Sequence, residues 1–211
     1  MGRRYTVPMQ QSSSAALRNR EPILATITPY LRACATLFEV GSGTGEHAVH
    51  CAAALPWLRW QASEMPARLA GLSAVLAGAG LPNLPPPLGL DVRSGPWPAA
   101  TVDAVFTANT LHCMSWPAAE ALFAGVAHLL GRDGVLLIYG PFNRDGAFTS
   151  DGNQRLDAWA RGLDPAFGLR DRDAVIALAA GHGFSLCDDH PMPANNHLLA
   201  WRCSGHRYAD A

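Results

Sequence analysis

The sequence contains no lysine, because all 16 of its Lys and Arg residues are arginines. This absence excludes two kinds of chemistry. A Schiff base needs a lysine amine, and a nucleotide phosphate loop of the G-x-x-x-x-G-K-[ST] type needs a lysine to reach the phosphates. Charged residues make up only 16% of the 211-residue chain, and the formal net charge is −1. Since the arginines are scattered rather than grouped, we expect no nucleic-acid partner.

Paired cysteines and long apolar runs are also missing. The five cysteines are widely separated and form no C-x-x-C pair, so we expect reduced, mostly buried thiols and no metal site. The first 16 residues are polar and lack the apolar core of a secretory signal, and no later segment approaches the length of a membrane span. We therefore expect a soluble, cytoplasmic protein with no membrane partner.

Hydrophobic residues are abundant, at 49% of the chain, so a large core can be buried. The length suits one α/β domain with a short extension. Strand-like and helical patterns alternate from residue 38 to residue 139, which predicts a parallel sheet with a site at the carboxyl ends of its strands. We expect residues 1–30 to form an N-terminal flap and a lid helix that begins near Leu17, and residues 31–211 to form the main domain.

Residues 38–45 indicate a short apolar strand that runs into a glycine-rich turn. Gly41, Gly43 and Gly45 allow the backbone to turn tightly and to approach a ligand closely. The alanine-rich residues 46–55 predict a helix whose first N–H groups point at the turn. A dinucleotide fingerprint does not fit, because the third glycine comes one residue early. We interpret the turn as a cofactor site; a glycine-rich turn without a ligand is the alternative.

Polar residues stand at the ends of the next predicted strands. Glu64 closes a strand over residues 58–64, nineteen residues after Gly45, which is about the spacing of one βαβ unit. Its carboxylate could accept the hydroxyl hydrogens of a ribose, or could instead favour a helix N-terminus. Asp91 and Val92 follow a short third strand and could meet an adenine amine and ring nitrogen. Asn109 ends the fourth strand.

An acidic residue just before G-x-G-x-G, here Glu39, is the pattern of class I S-adenosylmethionine (SAM) methyltransferases, which this chain resembles. The resemblance implies a Rossmann-like domain with a mostly parallel seven-stranded sheet, an antiparallel edge strand and helices on both faces. It also implies SAM as the cofactor, with the glycine turn passing its methionine part. The cofactor-binding residues expected are Glu39, Gly41, Ser42, Gly43, Thr44, Gly45, Glu64, Asp91, Val92, Asn109, Arg18 and Asn19.

Further segments resemble one family within that superfamily, the small methyltransferase-like proteins long classed as a domain of unknown function, which includes methyltransferase-like protein twenty-six. The similar segments cover nearly the whole chain after residue 17: residues 18–24, 41–48, 80–83, 90–92, 139–142, 145–146 and 192–196. The chain departs from the family pattern at Glu64, where Asp is usual, and in the serines at residues 12–14.

Methyl transfer from a sulfonium is an in-line displacement that mainly requires alignment and the exclusion of water. The candidate catalytic residues that would face the methyl group are Tyr139, His112, Asn143 and Arg144, with Asn195 and Asn196 beside them. His112 could equally be a structural histidine, Tyr139 a strand-end aromatic and Arg144 a solvated loop charge.

The absence of any basic or extended surface pattern favours a small-molecule substrate, and we expect a monomer or homodimer. Three alternatives stay open. The first is a lyase or cyclase that releases methylthioadenosine from SAM itself. The second is a non-catalytic SAM-binding partner protein, and the third, more remote, is an NAD-dependent reductase.

Overall fold

The computed structural model describes residues 9–204, with side chains from Ala16 onward. Its eight strands are β1 (Thr36–Val40), β2 (Arg59–Glu64), β3 (Leu88–Gly89), β4 (Val102–Ala108), β5 (Leu130–Asn143), β6 (Arg170–Asp171), β7 (Phe184–Met192) and β8 (Asn196–Cys203). Its helices are α1 (Met9–Leu31), α2 (Glu46–Ala54), α3 (Leu69–Ala79), α4 (Trp116–Leu129), α5 (Asp151–Leu163) and α6 (Arg172–Gly181).

The strands form one sheet in the order β3-β2-β1-β4-β5-β8-β7, and the short β6 pairs with the end of β5. Strands β1 to β5 are parallel, whereas β8 is antiparallel to both β5 and β7. The chain moves outward from β1 to β3 and then returns to place β4 on the other side of β1. Ligands of open α/β sheets bind at such a switch point, outside the carboxyl ends of the strands.

Two hydrophobic cores cover the two faces of the sheet. Helices α1, α2 and α3 pack on one face, where Ile23, Ile27 and Leu31 of α1 are fully buried. Helices α4 and α6 pack on the other face, around Phe123 and Trp201. The predicted fold class is therefore confirmed, with eight strands in place of seven and with the antiparallel β8 lying one position inside the edge strand β7.

Several element boundaries differ from the sequence-based expectation. Helix α1 begins at Met9 rather than near Leu17, and residues 1–8 of the predicted flap lie outside the described residues. Strand β3 ends at Gly89 instead of running to Val92, because the chain turns back to form a bridge between Asp91 and Gly95. Strand β5 continues to Asn143, four residues beyond the expected end, because β6 pairs with its last two residues.

The buried half of α1 is part of the first core rather than a detached cover. Whether its first half behaves as a lid stays a prediction. None of the helices in the described part of the chain combines the length and the hydrophobicity that a bilayer crossing requires.

Asn83 fastens the loop before β3 to the end of α2. Its side-chain amide donates to the carbonyl oxygens of Ala52 (2.9 Å), Leu55 (3.1 Å) and Leu58 (2.9 Å). These carbonyls lie at and just beyond the helix C-terminus, where intrahelical partners run out. One of the segments that carry the family resemblance thus has a structural role.

We expect Asn83→Ala to lower the free energy of unfolding by about 1–3 kcal/mol, because it leaves these carbonyls without their donor. Urea denaturation followed by circular dichroism measures the change. Gln154→Ala, which removes an exposed amide from α5, is the matched control and should shift stability by less than about 0.5 kcal/mol. Equal effects of the two substitutions would contradict the role given to Asn83.

Candidate functional site

The glycine turn between β1 and α2 adopts a left-handed backbone at each of its three glycines, with φ of +73° at Gly41, +59° at Gly43 and +88° at Gly45. A Cβ at Gly41 would lie 2.9 Å from Thr110 Cγ2, and one at Gly45 would lie 2.9 Å from Leu72 Cδ1. A Cβ at Gly43 would meet no atom within 4 Å. The positive φ favours glycine at all three positions; a Cβ would also crowd a neighbouring side chain at Gly41 and Gly45, whereas Gly43 borders open space.

The Glu39 carboxylate supports this turn from the core side. It is only 1% exposed, and its Oε2 accepts hydrogen bonds from Ser42 Oγ and Trp60 Nε1, both at 2.8 Å. Burial raises the pKa of Glu39 to about 7; the two hydrogen bonds oppose this shift, and the nearby Glu64 and Glu46 add to it. Glu39 thus joins the turn to the buried indole of β2.

Glu64 and Asp91 lie at the same edge, after β2 and β3. Glu64 Oε2 accepts the backbone N–H of Gly43 at 2.7 Å, and its Oε1 accepts the N–H of Met65 at 2.9 Å. Asp91 Oδ1 accepts the N–H of Arg93 at 3.0 Å, and this bond is the main reason that the pKa of Asp91 is lowered. Glu64 therefore lies directly against Gly43, and Asp91 follows the adjacent strand β3 at the same edge of the sheet.

The remaining predicted cofactor residues lie around the turn with different roles. Asn109, at φ +57°, donates its N–H to the carbonyl of Tyr139 at 2.8 Å and so fixes the end of β4 against β5. Val92 is partly buried against the second core, and the Thr44 hydroxyl donates to the Glu46 carboxylate. Arg18 lies exposed on α1.

Asn19 of α1 is buried and pairs with a histidine that the sequence analysis missed. The imidazole Nε2 of His47, in the first turn of α2, lies 2.8 Å from Asn19 Oδ1. Burial lowers the pKa of His47 to about 4, so the ring is neutral near pH 7 and Nε2 carries the donated hydrogen. The only available signal was its place two residues after the glycine turn, which does not reveal a contact with α1.

Tyr139 and Asn143 each bury a polar atom without a hydrogen-bond partner in the described part of the chain: the Tyr139 hydroxyl oxygen and Asn143 Oδ1. Tyr139 is 1% exposed and is interior to β5 rather than at its end. Burial raises the pKa of its phenol, and the adjacent Asn19 opposes that shift. Unpaired buried polar atoms in a native protein call for a ligand, a water or another explanation.

His112 is buried where residues 111–114 contact residues 168–170. Burial, aided by the charge of Arg170, lowers its pKa to about 4, which makes its neutral ring a weak base. Its carbonyl accepts the N–H of Gly168 at 3.0 Å, and Arg170 donates to the carbonyls of Leu111 and Met114. These contacts favour the structural interpretation of His112, and its catalytic role stays a prediction.

Arg144 belongs to an ion cluster at the same edge. Its Nη2 lies 3.7 Å from Asp189 Oδ2, which also accepts Arg172 Nη1 at 2.6 Å, while Asp189 Oδ1 lies 2.5 Å from His197 Nδ1. Burial acts to raise the pKa of Asp189, but the contacts with His197 and Arg172 outweigh it and lower that pKa. Arg144 is thus engaged by a carboxylate of the protein itself.

Asn195 and Asn196 follow a tight turn at the end of β7. Ala194 and Asn195 both have positive φ, and the Asn196 amide donates to the carbonyl of Pro193 at 2.9 Å. The buried Asn153 of α5 donates to Thr149 Oγ1 at 2.8 Å and lies 3.4 Å from the Asn195 carbonyl. Asn153, like His47, was not predicted, because only the tertiary structure brings it to this edge.

All five cysteines are free, and three of them are buried. Within residues 9–204 no cluster of three or more His, Cys, Asp or Glu side chains is arranged to hold a metal ion.

A protein-family model described as "Protein of unknown function (DUF938)" matches residues 10–203. Among solved structures, an O-methyltransferase family protein from Burkholderia thailandensis is 16% identical with a TM-score of 0.79, over 94% of this chain and 60% of that one. A mitomycin 7-O-methyltransferase is 18% identical with a TM-score of 0.81, over 92% of this chain and 56% of that one.

Human N-acetylserotonin methyltransferase, solved in complex with SAM, is 16% identical with a TM-score of 0.77, over 92% of this chain and 54% of that one. At these identities the similarity establishes the fold, which is that of the class I methyltransferases. This chain spans between about half and three fifths of the length of these three proteins.

The raised pKa of Glu39 predicts a pH-dependent stability. Its carboxyl binds a proton more tightly in the folded chain, with a pKa of about 7 against an ordinary 4.5, so its contribution to stability is lost as the pH rises through that interval. We expect Glu39→Gln to become more stable relative to wild type by up to about 3 kcal/mol between about pH 5 and pH 8. The Gln carbonyl can still accept from Ser42 and Trp60.

Urea denaturation at several pH values measures this difference. Glu120→Gln, at an exposed position of α4, should keep a constant offset from wild type. A constant offset for Glu39→Gln as well would show that Glu39 is ionised in both states and that burial does not control it.

Proposed function

This chain belongs to the DUF938 family of proteins of unknown function, and we propose that it is a SAM-dependent enzyme that transfers a methyl group to a small molecule. The observation that carries the proposal is the open side of Gly43 at the β1–β4 switch point, where Glu64 contacts the Gly43 backbone and Asp91 follows the adjacent strand β3. A left-handed glycine with free space at its Cβ position allows a ligand to approach the backbone closely.

The residues at this edge suit the polar groups of SAM. We assign Glu64 to the ribose hydroxyls and Asp91 to the adenine amine, because carboxyl oxygens can accept more hydrogen bonds than those from their present N–H partners. The first N–H groups of α2 and the Gly43 backbone would face the methionine part. Nothing here resembles a lysine-dependent phosphate site, in keeping with the composition.

Bound SAM would supply a methyl group activated on a sulfonium. The protein would contribute orientation and the exclusion of water, with Asn109 fixing the end of β4 and α1 closing the side next to Tyr139. The similarity to solved O-methyltransferases supports methyl transfer in general. The sequence resemblance to the family of methyltransferase-like protein twenty-six supports the assignment to that family within the methyltransferases.

Three further expectations accompany this proposal. A small-molecule substrate is favoured because the chain has almost no net charge and its arginines are dispersed. A cytoplasmic location and a monomeric or homodimeric state stay predictions based on the sequence.

Gly43→Ala should abolish or weaken SAM binding at least about tenfold, because the new methyl group enters the space proposed for the ligand. Gly80→Ala is a closely matched control. Gly80 also has a left-handed φ, +62° against +59° for Gly43, and its Cβ position is also open, but it caps the end of α3. Both substitutions introduce the same backbone strain, so isothermal titration calorimetry should separate them. Equal SAM affinity in both variants would overturn the placement of the cofactor.

Incubation with SAM and a small-molecule cell extract should yield a product heavier by one methyl group, and S-adenosylhomocysteine with it. Mass spectrometry detects both, and SAM carrying a deuterated methyl group confirms the source. The Gly43→Ala variant is the negative control. Release of methylthioadenosine from protein and SAM alone would replace methyl transfer by a lyase or cyclase reaction, and SAM binding without any product would indicate a binding protein.

A further inference from the structure

We propose that the acceptor site lies on the α1-facing side of the carboxyl ends of β5 and β8, and that it takes an uncharged small molecule presenting a hydroxyl or amine hydrogen. The term acceptor rests on the proposed function, since it assumes methyl transfer from SAM. The site itself is defined by contacts among protein residues, which do not depend on SAM.

Strand alternation places the polar residues of this site on one face. Along β5, Leu137 and Tyr139 belong to the core beneath α1, whereas Ile138 and Phe142 belong to the opposite core. Because successive side chains of a strand point to opposite faces, Asn143 shares the face of Tyr139. Pro141 lies between them on the same face.

Strand β8 brings a second amide to the same face. Leu198 and Ala200 belong to the core beneath α1, so Asn196, two residues before Leu198, points to the same side. Asn196 is paired with Pro141 of β5 in the sheet. Three polar side chains from two adjacent strands therefore converge on the α1 side of this edge.

Helix α1 covers this face through two contacts. The Thr26 hydroxyl lies 3.5 Å from the sulfur of Met192, the residue paired with Asn196 in β7. Asn19 is held by His47 and lies beside the Tyr139 hydroxyl. The apolar surfaces of Met192 and Pro141 flank the amides, so the site is suited to a molecule with one polar group on an apolar body.

The unpaired atoms define what that polar group must be. Asn143 Oδ1 can only accept, and the Tyr139 hydroxyl can accept or donate. A ligand hydroxyl or amine supplies the hydrogen that Asn143 Oδ1 lacks. A carboxylate has no hydrogen to give and would face that oxygen with a like partial charge.

The cations nearest this edge are already paired. Arg144 and Arg172 both contact Asp189, and Arg172 also contacts Asp173, so the two arginines are matched by two carboxylates. An anionic acceptor would have to displace an ion pair of the protein. We therefore assign Arg144 to the scaffold and Asn143 to recognition.

Saturation-transfer NMR on the full chain without SAM tests the assignment with four probes that share one ring: phenol, aniline, anisole and benzoate. Phenol and aniline carry the hydrogen, anisole lacks it and benzoate carries a charge. We expect saturation transfer to phenol or aniline to exceed that to anisole and benzoate at least about fivefold. Asn143→Leu should remove this preference, and Arg144→Ala should leave it unchanged.

Tyr139→Phe, which keeps the packing of the ring, is the second variant should Asn143→Leu fail to fold, and it should also weaken phenol binding. Stronger transfer to benzoate that is lost in Arg144→Ala would overturn the assignment, and so would the absence of transfer to all four probes. Calorimetry with SAM is a separate measurement, so failure of methyl transfer and failure of this site are distinguishable.

Discussion

The hydrogen bonds of the buried Glu39 carboxylate are the constraint on which the candidate site depends. One oxygen of this group accepts from Ser42 in the turn and from Trp60 in the neighbouring strand. An unpaired charge in this position would be strongly unfavourable, so the carboxylate, the serine and the indole must be satisfied together. The turn is consequently fixed to the core of the sheet, and Gly43 is presented at a constant position relative to the ends of β2 and β3.

Helix α1, which packs on one face of the sheet, imposes a second constraint. Its C-terminal half is embedded in the core and approaches β7 through Thr26 and Met192, while Asn19, nearer the middle of the helix, contacts His47 of α2. The helix therefore bridges the glycine turn and the far end of the sheet. A neutral His47 suits this position, since a charged ring would need a partner that the buried contact does not supply.

Local patterns account for what the sequence predicts well. The glycine turn, the acids at the strand ends and the alternation of strands and helices depend on neighbouring residues, and the structure places Glu39, Glu64 and Asp91 at one edge as that alternation implies. The limits of β5 could not be predicted in this way. Its extension to Asn143 depends on pairing with Arg170 and Asp171, each of which lies 28 residues further along the chain than the residue it meets.

Dependence on partners that are distant in the sequence also explains which side chains the sequence analysis does not identify and which have a different role in the structure. His47, Asn83 and Asn153 have no local signature, and each acquires its function from a partner in another element. From its sequence context Arg144 is a candidate catalytic residue or a solvated loop charge. What determines its role is Asp189, a residue of β7 that no spacing rule connects to it.

The polar residues at the carboxyl edge of the sheet thus differ in charge between its two ends. At the end formed by β1 to β3, carboxylates organise the glycine turn and leave acceptor capacity toward a ligand with many hydroxyl and amine hydrogens. At the end formed by β5, β7 and β8, Arg144 and Arg172 are matched by Asp189 and Asp173, while the Tyr139 hydroxyl and Asn143 Oδ1 are buried without a hydrogen-bond partner among the described residues. A positively charged cofactor at the first end and an uncharged acceptor at the second would each meet complementary groups. Because in-line transfer requires the two reacting atoms to be in contact, the two ligands would have to meet where these ends adjoin, next to Asn109 and Tyr139, where β4 is hydrogen-bonded to β5.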